Sequence, residues 1–546
     1  MQKFFDIINA INGVMLSVPM LLALLAVGLL FTVWTRFCQF RSLTHGVGLL
    51  TGRWTSGDGA GAISHFQALS AALSATVGLG NIAGVAIAVE LGGPGAVFWM
   101  WMIGLVGMAV KTTEVTLSML YRDTTDPDNP HGGTMWVAKR ALPELSGRLK
   151  TAGPVIGGLF TLPLILFALT GGNMFQAWSV SDTTYAYFGV PPWISGLVLA
   201  TIVGLVILGG IRRIGVIAGT LVPLMCAIYI VAGLFVIFIN RDAVPDVFAL
   251  IFTSAFSAAE GTGAFVGASF GTAFIFGMKR ALFSSEAGLG SAPIAHSAVK
   301  TDEPVTEGVV AGLEPFIDTI VVCTITALVI LSSGIWQRQA AGSFEPPVEL
   351  VQTAAGWQPS VTELPDGDWQ AGAQVFTIIE IDGERTRLYG RVSGDQNLQW
   401  RSVVSDTQPR LLDNGLYADY TGATLTAKAF DSGADGLGKW MVTMAVWLFA
   451  ISTIITWSYY GEQGVIYLAG PRWVVPYRAV WCVLIVVTCL GFIRTSGELD
   501  SISTVALGFM LVINLPIMLL LGSRMVHQYR DYFDRIRRGE IRPNNG

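Results

Sequence analysis

The sequence predicts an all-α polytopic membrane protein. It reads as eleven transmembrane helices: one N-terminal helix, then a ten-helix core of two inverted five-helix halves, with a β-rich insertion on the outer face. Three observations carry this. Of 546 residues, 52% are hydrophobic and only 13% charged, about half the ~25% charged share of a soluble domain, and mean hydropathy is +0.58. Eleven apolar runs are long enough to span a bilayer. The loops between them alternate between rich and poor in Lys and Arg, as the positive-inside rule requires.

In chain order the runs cover approximately 14–36, 66–90, 95–121, 154–180, 192–210, 215–239, 263–285, 306–334, 438–460, 475–493 and 501–523. The first is too long for a signal-peptide core and is read as a retained helix. One set of loops carries Arg36, Arg41 and Arg53, then Arg122, Lys139, Arg140, Arg148 and Lys150, then Arg212 and Arg213, Lys279, Arg280 and Lys300, and Arg472 and Arg478; the tail adds Arg524 to Arg542. The alternate short loops hold Lys3, Arg241 and Arg494. This places the N-terminus outside and the C-terminus in the cytoplasm. The chain divides into membrane segments at 1–334 and 437–523, an outer insertion at 335–436, and a basic tail at 524–546.

The insertion holds 14 Asp and Glu against 7 Lys and Arg. Gln374–Ile381 and Arg385–Val392, around Asp382-Gly383, form a hairpin pattern with a type I′ turn. Thr421–Phe430 reads as a further strand. The segment contains no catalytic constellation and is read as a cap or a surface for a docking partner.

Two membrane segments break helical rules. The second contains Gly78, Gly80 and Gly84. The seventh contains Gly261, Gly263, Gly267, Gly271 and Gly277. Glycine costs about 1 kcal/mol in a helix, so such clusters mark an interruption or a close crossing. Interrupted segments five helices apart point to a midplane binding site between inverted halves. In the seventh segment the break is expected around Thr272, Phe274 and Phe276, with the aromatic rings limiting the side chain of a bound substrate. In the fourth, Asn173 and Gln176, three apart, share a predicted helix face, and Gln176 is assigned to substrate. In the ninth, Ser452 and Thr453 supply adjacent hydroxyls suited to a hard cation, although such hydroxyls also bond back to their own helix. Trp457, one turn on, is either a pocket wall or an interface anchor.

The run Thr76-Val77-Gly78-Leu79-Gly80-Asn81-Ile82-Ala83-Gly84 resembles the first core helix of the sodium:alanine symporter family. Gly277-Met278-Lys279-Arg280-Ala281-Leu282-Phe283-Ser284-Ser285-Glu286-Ala287-Gly288-Leu289-Gly290-Ser291-Ala292-Pro293 resembles its most distinctive stretch. Glu314-Pro315-Phe316-Ile317-Asp318-Thr319 and Trp457-Ser458-Tyr459-Tyr460-Gly461-Glu462 are similar to family sequence too. The resemblance implies the fold of the bacterial leucine transporter and Na⁺-coupled import of alanine or glycine across a bacterial inner membrane. It assigns the substrate carboxylate to the amides of Leu79 and Gly80, with Thr76 and Gly78 alongside. It assigns Na⁺, the coupling ion, to the carbonyls of Ser74, Val77 and Phe449 with the hydroxyls of Ser452 and Thr453. A second sodium site near Asn81 is left open.

Lys111 and Glu114, at i and i+3, are expected to neutralise each other. Asp318 sits in the middle third of its segment without an assigned partner. Glu286 is placed at an inner gate. His45, His65, His131, His296 and His527 fall in or at predicted loops and are expected at the surface. The five cysteines follow no metal-ligand spacing. No P-loop, nucleophile elbow or H-E-x-x-H occurs, which leaves neither an ATP-driven pump nor an enzyme. The rival is a membrane sensor that binds an amino acid and signals through the outer domain without transport.

Overall fold

The computed structural model describes residues 2–54, 59–147, 149–367, 369–420, 422–492 and 496–544. Arg148, Arg494 and Thr421, used above, lie outside the described residues. Among the described residues, eight helices are long and apolar enough to cross a membrane, nine if one bent pair counts as a single span. We label the major helices α1 (Ile7–Trp34), α2 in two arms (α2a, His65–Thr76; α2b, Gly80–Gly92), α3 (Gly95–Tyr121), α4 (Leu149–Phe188), α5 (Pro192–Ile207) and α6 (Gly210–Ile239). They continue with α7 (Phe270–Ser285), α8 (Pro304–Ser332), α9 (Leu437–Ala469), α10 (Pro471–Gly491) and α11 (Leu499–Arg537). Each of the eleven apolar runs thus meets a helix, but α5 and α7 are shorter, at 16 residues each.

The second run is interrupted as its glycines predict. α2a opens on a capping box, with Ser64 Oγ accepting from the Gln67 amide and Gln67 Oε1 from the Ser64 amide. It ends at Thr76, and the two arms are bent by 53°. The seventh run departs from expectation. Thr272, Phe274 and Phe276 lie in unbroken helix. Thr272 belongs to the capping box that starts α7 with Ser269, and Phe274 packs on Trp99 with ring centroids 4.9 Å apart. The interruption comes one helix-length later, at Glu286–Ala292, before the short helix Pro293–His296. Glu286, Gly288 and Gly290 there have φ of 52°, 87° and 73°, and left-handed residues end an α-helix. Gly277 serves packing: a Cβ on it would lie 2.3 Å from the Ala96 carbonyl oxygen of α3.

The eight strands found among the described residues all fall inside the predicted insertion. They are β1 (Gly342–Ser343), β2 (Leu350–Thr353), β3 (Gly356–Pro359), β4 (Gln374–Ile381), β5 (Glu384–Val392), β6 (Leu398–Trp400), β7 (Arg410–Leu411) and β8 (Gly415–Ala418). One sheet runs β1-β8-β4-β5-β6, with β7 also on β4, and β2 pairs with β3. The β4–β5 hairpin turns at Asp382-Gly383, both with positive φ (52° and 83°), as a type I′ turn demands. The expected strand at 421–430 is instead a helix, Ala423–Asp431. Its Ala residues favour helix, and Leu425 with Ala429, and Thr426 with Phe430, are buried at i, i+4 spacing.

Candidate functional site

At the α2 break the chain leaves helical geometry at Val77 (φ −73°, ψ 92°), which is fully buried. The Gly78 amide donates to Asn81 Oδ1 at 2.8 Å, and a π turn, Gly80–Gly84, restarts the helix. This leaves backbone groups free of intrahelical bonds, which a chain buried in lipid tolerates only where a cavity or ligand takes them up.

A small, largely closed cavity lies against this break, with about 20 Å³ open to a water-sized molecule. α2 contributes Thr76, Gly78, Leu79 and Gly80; α4 contributes Phe167, Gly171 and Gln176; α9 contributes Thr453 and Trp457; Phe283 and Glu286 close it from the second break. Gln176 Nε2 donates to the Gly171 carbonyl at 3.1 Å, whereas its buried Oε1 has no partner. An unsatisfied polar atom in a cavity wall marks where a ligand can bond. Trp457 is a wall residue: its ring sits 4.6 Å from that of Phe167, and a Cβ on Gly172 would come within 2.5 Å of it. A larger hollow along Val231, Phe235 and Met441 has no polar lining.

Beside the cavity, α2a and α9 are stitched by oxygens. Thr453 Oγ1 donates to the Ser74 carbonyl at 3.1 Å, and Ser74 Oγ donates to the Ser452 carbonyl at 2.6 Å. Ser452 Oγ donates to the Phe449 carbonyl at 2.8 Å. Gly78 stands directly over Thr453, since a Cβ there would be 3.0 Å from its Oγ1. Ser74, Phe449, Ser452 and Thr453 therefore share one buried patch, with Val77 in the adjoining break.

Asn173 does not share the cavity with Gln176. A π turn at Thr170–Met174 rotates the face between them, and Asn173 Nδ2 donates to the Trp481 carbonyl of α10 at 3.0 Å. Thr272, Phe274 and Phe276 also lie apart from it, half a helix from the second break. Glu286 was placed at an inner gate by sequence, yet it lines the cavity. Its Oε2 accepts from Ser291 Oγ at 2.6 Å. The signal available was an acidic residue two positions ahead of Gly-x-Gly, the pattern of a helix end.

Behind the second break is a buried ionic cluster. Lys111 Nζ lies 3.1 Å from Glu314 and 3.7 Å from Glu114, so its nearer partner is not the one expected. His296, expected at the surface, is fully buried between Glu307 and Glu314, with Nε2 2.6 Å from Glu314 Oε1. His65 pairs with Glu307 from the other side. The place of His296 between the predicted spans 263–285 and 306–334 suggests a loop; tertiary packing buries it.

The insertion also grips the elements that flank the site. Arg387 of β5 pairs with Glu90 of α2b and donates to the Ala264 carbonyl at 2.8 Å. Arg385 donates to the Gly261 carbonyl at 2.8 Å, and Thr426 Oγ1 donates to the Ile82 carbonyl at 3.0 Å.

The model of the sodium:alanine symporter family matches residues 1–361 and 404–545, passing over 362–403. The chain is 35% identical to the sodium/alanine symporter AgcS of Methanococcus maripaludis over 541 residues, 99% of this chain and all of that one. It is 35% identical to the probable sodium/glutamine symporter GlnT of Bacillus subtilis, over 61% of this chain and 67% of that one. Among solved structures, MhsT in complex with L-phenylalanine superposes with a TM-score of 0.51 at 13% identity, covering 84% of this chain and 89% of that one. That likeness carries the fold, the leucine-transporter type expected from the sequence.

Proposed function

The chain belongs to the sodium:alanine symporter family, a transporter and not an enzyme, and from that premise we propose that it imports a small neutral amino acid, alanine or glycine, together with Na⁺. The observation that carries this is the oxygen patch of Ser74, Phe449, Ser452 and Thr453 beside a small cavity that exposes the α2 break. Sodium needs hard oxygen ligands. Two carbonyls and two hydroxyls converge there from α2a and α9, and Val77 adds a third carbonyl.

The substrate carboxylate meets the amides of Leu79 and Gly80 at the start of α2b, where unpaired N–H groups and the helix dipole favour an anion. Its ammonium meets the unpaired Gln176 Oε1 and the Glu286 carboxylate on facing walls. Thr76 and Gly78 border the same space. Phe167, Phe283 and Trp457 leave room for a short side chain only, which favours alanine and glycine over glutamine. Asn173, Thr272, Phe274 and Phe276 stand outside this space and are left out of the substrate site.

Ion and substrate then bind to opposite sides of one break, so each holds the geometry the other needs, a coupling that is reciprocal. In this reading the eleven helices span the plasma membrane of the cell, with the N-terminus and the insertion outside and the tail in the cytoplasm. The relatives are carriers, and no observation favours a sensor.

The test is uptake of radiolabelled alanine by proteoliposomes, with and without an inward Na⁺ gradient. Accumulation should require the gradient, and Thr453→Ala should raise the Na⁺ needed for half-maximal uptake about tenfold, the equivalent of one good ligand bond. Folded protein that accumulates none of alanine, glycine or serine under the gradient would sink the proposal.

A further inference from the structure

The apolar run of α11 ends near 523, yet the helix continues to Arg537. Two open hollows lie side by side on α11 at that boundary. One is walled by Trp34, at the end of α1, with Val526 and Arg530. The other is walled by Tyr121, at the end of α3, with Arg524 and Gln528. Ser523 and His527 belong to both, so the two make one groove across the helix. They hold about 320 and 390 Å³, within the range of roughly 300–1,000 Å³ for small-ligand sites.

The charges around the groove are unequally spent. Six arginines follow the apolar run: Arg524, Arg530, Arg535, Arg537, Arg538 and Arg542. Arg524 pairs with Glu144, Arg535 with Glu303 and Asp531, Arg537 with Asp534, and Arg538 with Glu540. Among the described residues, Arg530 pairs with no carboxylate. Its Nη2 donates to the Trp34 carbonyl at 2.9 Å, which uses one of the five N–H donors of a guanidinium. Arg530 therefore brings a positive charge without a counter-charge to the groove wall. Ser523, His527 and Arg530, spaced i, i+4 and i+7, share one face of α11. A hydroxyl, an imidazole and a guanidinium thus stand where one anion can meet all three.

The other half of the surface is apolar. One turn before Ser523, Leu519 and Leu520 are 42% and 58% exposed, and Val33, just before Trp34, is 64% exposed. A free phosphate has no use for that surface, whereas the acyl chains of a lipid do. Trp34 occupies the place of an interfacial aromatic, at the end of its span. A zwitterionic headgroup would also need a carboxylate for its ammonium. The neighbouring ones, Glu144 beside Arg524 and Asp531 next in sequence to Arg530, already hold arginines. We propose that this groove binds an anionic phospholipid, with its phosphate against Arg530, Ser523 and His527 and its acyl chains along Leu519 and Leu520. Basic pockets at the ends of membrane helices suit such headgroups.

The position gives the lipid a task. Gly522 packs on α1 beside the groove, since a Cβ there would lie 2.8 Å from the Phe31 ring. A phosphate on Arg530, the residue that holds the Trp34 carbonyl, ties the end of α1 to α11 at the same level. The site lies apart from the cavity and the oxygen patch, and it stands whether or not Na⁺ drives uptake.

The test titrates purified protein in detergent with phosphatidylglycerol or phosphatidylcholine. Unfolding temperature and native mass spectrometry read the binding. The parent should keep one phosphatidylglycerol per chain and unfold at a higher temperature with it, and phosphatidylcholine should do neither. Arg530→Gln should need about fivefold more phosphatidylglycerol for half the effect, the weight of one arginine against an anionic lipid surface. Ser523→Leu, which fills the groove from an exposed position, should weaken binding several-fold as well. Arg542→Gln removes a tail arginine outside the groove and should leave binding as in the parent. Parental affinity in both groove variants, or equal losses in Arg530→Gln and Arg542→Gln, would overturn the site in favour of diffuse attraction to the tail. An equal response to phosphatidylcholine refutes the anionic headgroup, and an equal response to inorganic phosphate alone refutes the lipid.

Discussion

The two breaks that face the cavity are built by opposite means. The first, after Thr76, has no left-handed residue: its glycines have ordinary φ, and a side chain, Asn81, takes up the Gly78 amide. The second, after Ser285, turns on three left-handed residues, Glu286, Gly288 and Gly290. Glycines in the first leave room for partners, here Thr453 over Gly78. Glycines in the second make the backbone path itself possible. The first break is therefore tuned for ligands and the second for shape.

That contrast can be broken by matched substitutions, and the largest effect belongs to the second break. In Gly290→Ala the new Cβ would lie 2.0 Å from Thr134 Oγ1, at a backbone φ of 73°. We expect loss of folded protein, from a clash plus strain of roughly 1–3 kcal/mol. Gly78→Ala has no such strain and meets only Thr453 Oγ1, at 3.0 Å. It should fold with a near-parental melting temperature yet need several-fold more Na⁺ for uptake. Yield and thermal unfolding in detergent, followed by sodium titration of uptake, read both. Equal behaviour of the two variants would erase the distinction.

The same contrast explains what the sequence disclosed. The first break was legible because its glycines interrupt an apolar run and local sequence alone decides the outcome. The second was misplaced by about a helix length because glycine density was read as interruption, whereas Gly277 is small so that α3 can approach. Density cannot separate close packing from positive φ; Glu286-Ala287-Gly288-Leu289-Gly290 carries the second meaning in its spacing. Ser74, Ser452 and Thr453 came together as the resemblance implied. Asn173 was lost to a π turn, whose extra residue no i, i+3 count contains. His296 and Glu314 were illegible because their burial depends on partners far along the chain. The β4–β5 hairpin was legible in its turn, but its grip on Glu90 was not.

That grip offers the next test, since the insertion holds the two broken elements differently. It holds α2b by a charge pair, Glu90 with Arg387, both nearly buried, at 7% and 6% side-chain exposure. It holds the stretch leading into α7 through backbone carbonyls, Gly261 and Ala264. Removing one member of a buried pair strands the other, at about 3–5 kcal/mol. Removing a charged donor from a carbonyl costs roughly 1.5–3 kcal/mol. Glu90→Gln should therefore lower the unfolding temperature more than Arg385→Ala. The reverse order would mean that the carbonyl contacts, and not the ion pair, fasten the insertion to the core.

The smallest expected effect is a pH dependence at this junction. Asp419 lies 4.0 Å from Arg387, and burial, with Glu90 adding to it, raises its pKa from 3.8 to about 6 against the pull of Arg387 and Arg338. A carboxyl whose folded pKa is raised takes up a proton on folding. Its contribution is thus most favourable below about pH 4, declines as pH rises to about 6, and is flat above that. The rise from 3.8 to about 6, in which the pull of the two arginines is already included, makes the expected change on the order of 1–3 kcal/mol. Asp419→Asn should raise the unfolding temperature relative to the parent at pH 7, and this gain should disappear by pH 4. A gain that persists at pH 4, or a loss at pH 7, would show that Asp419 works as a charged partner of Arg387 and that the clamp on α2b is a three-residue ionic group rather than a pair.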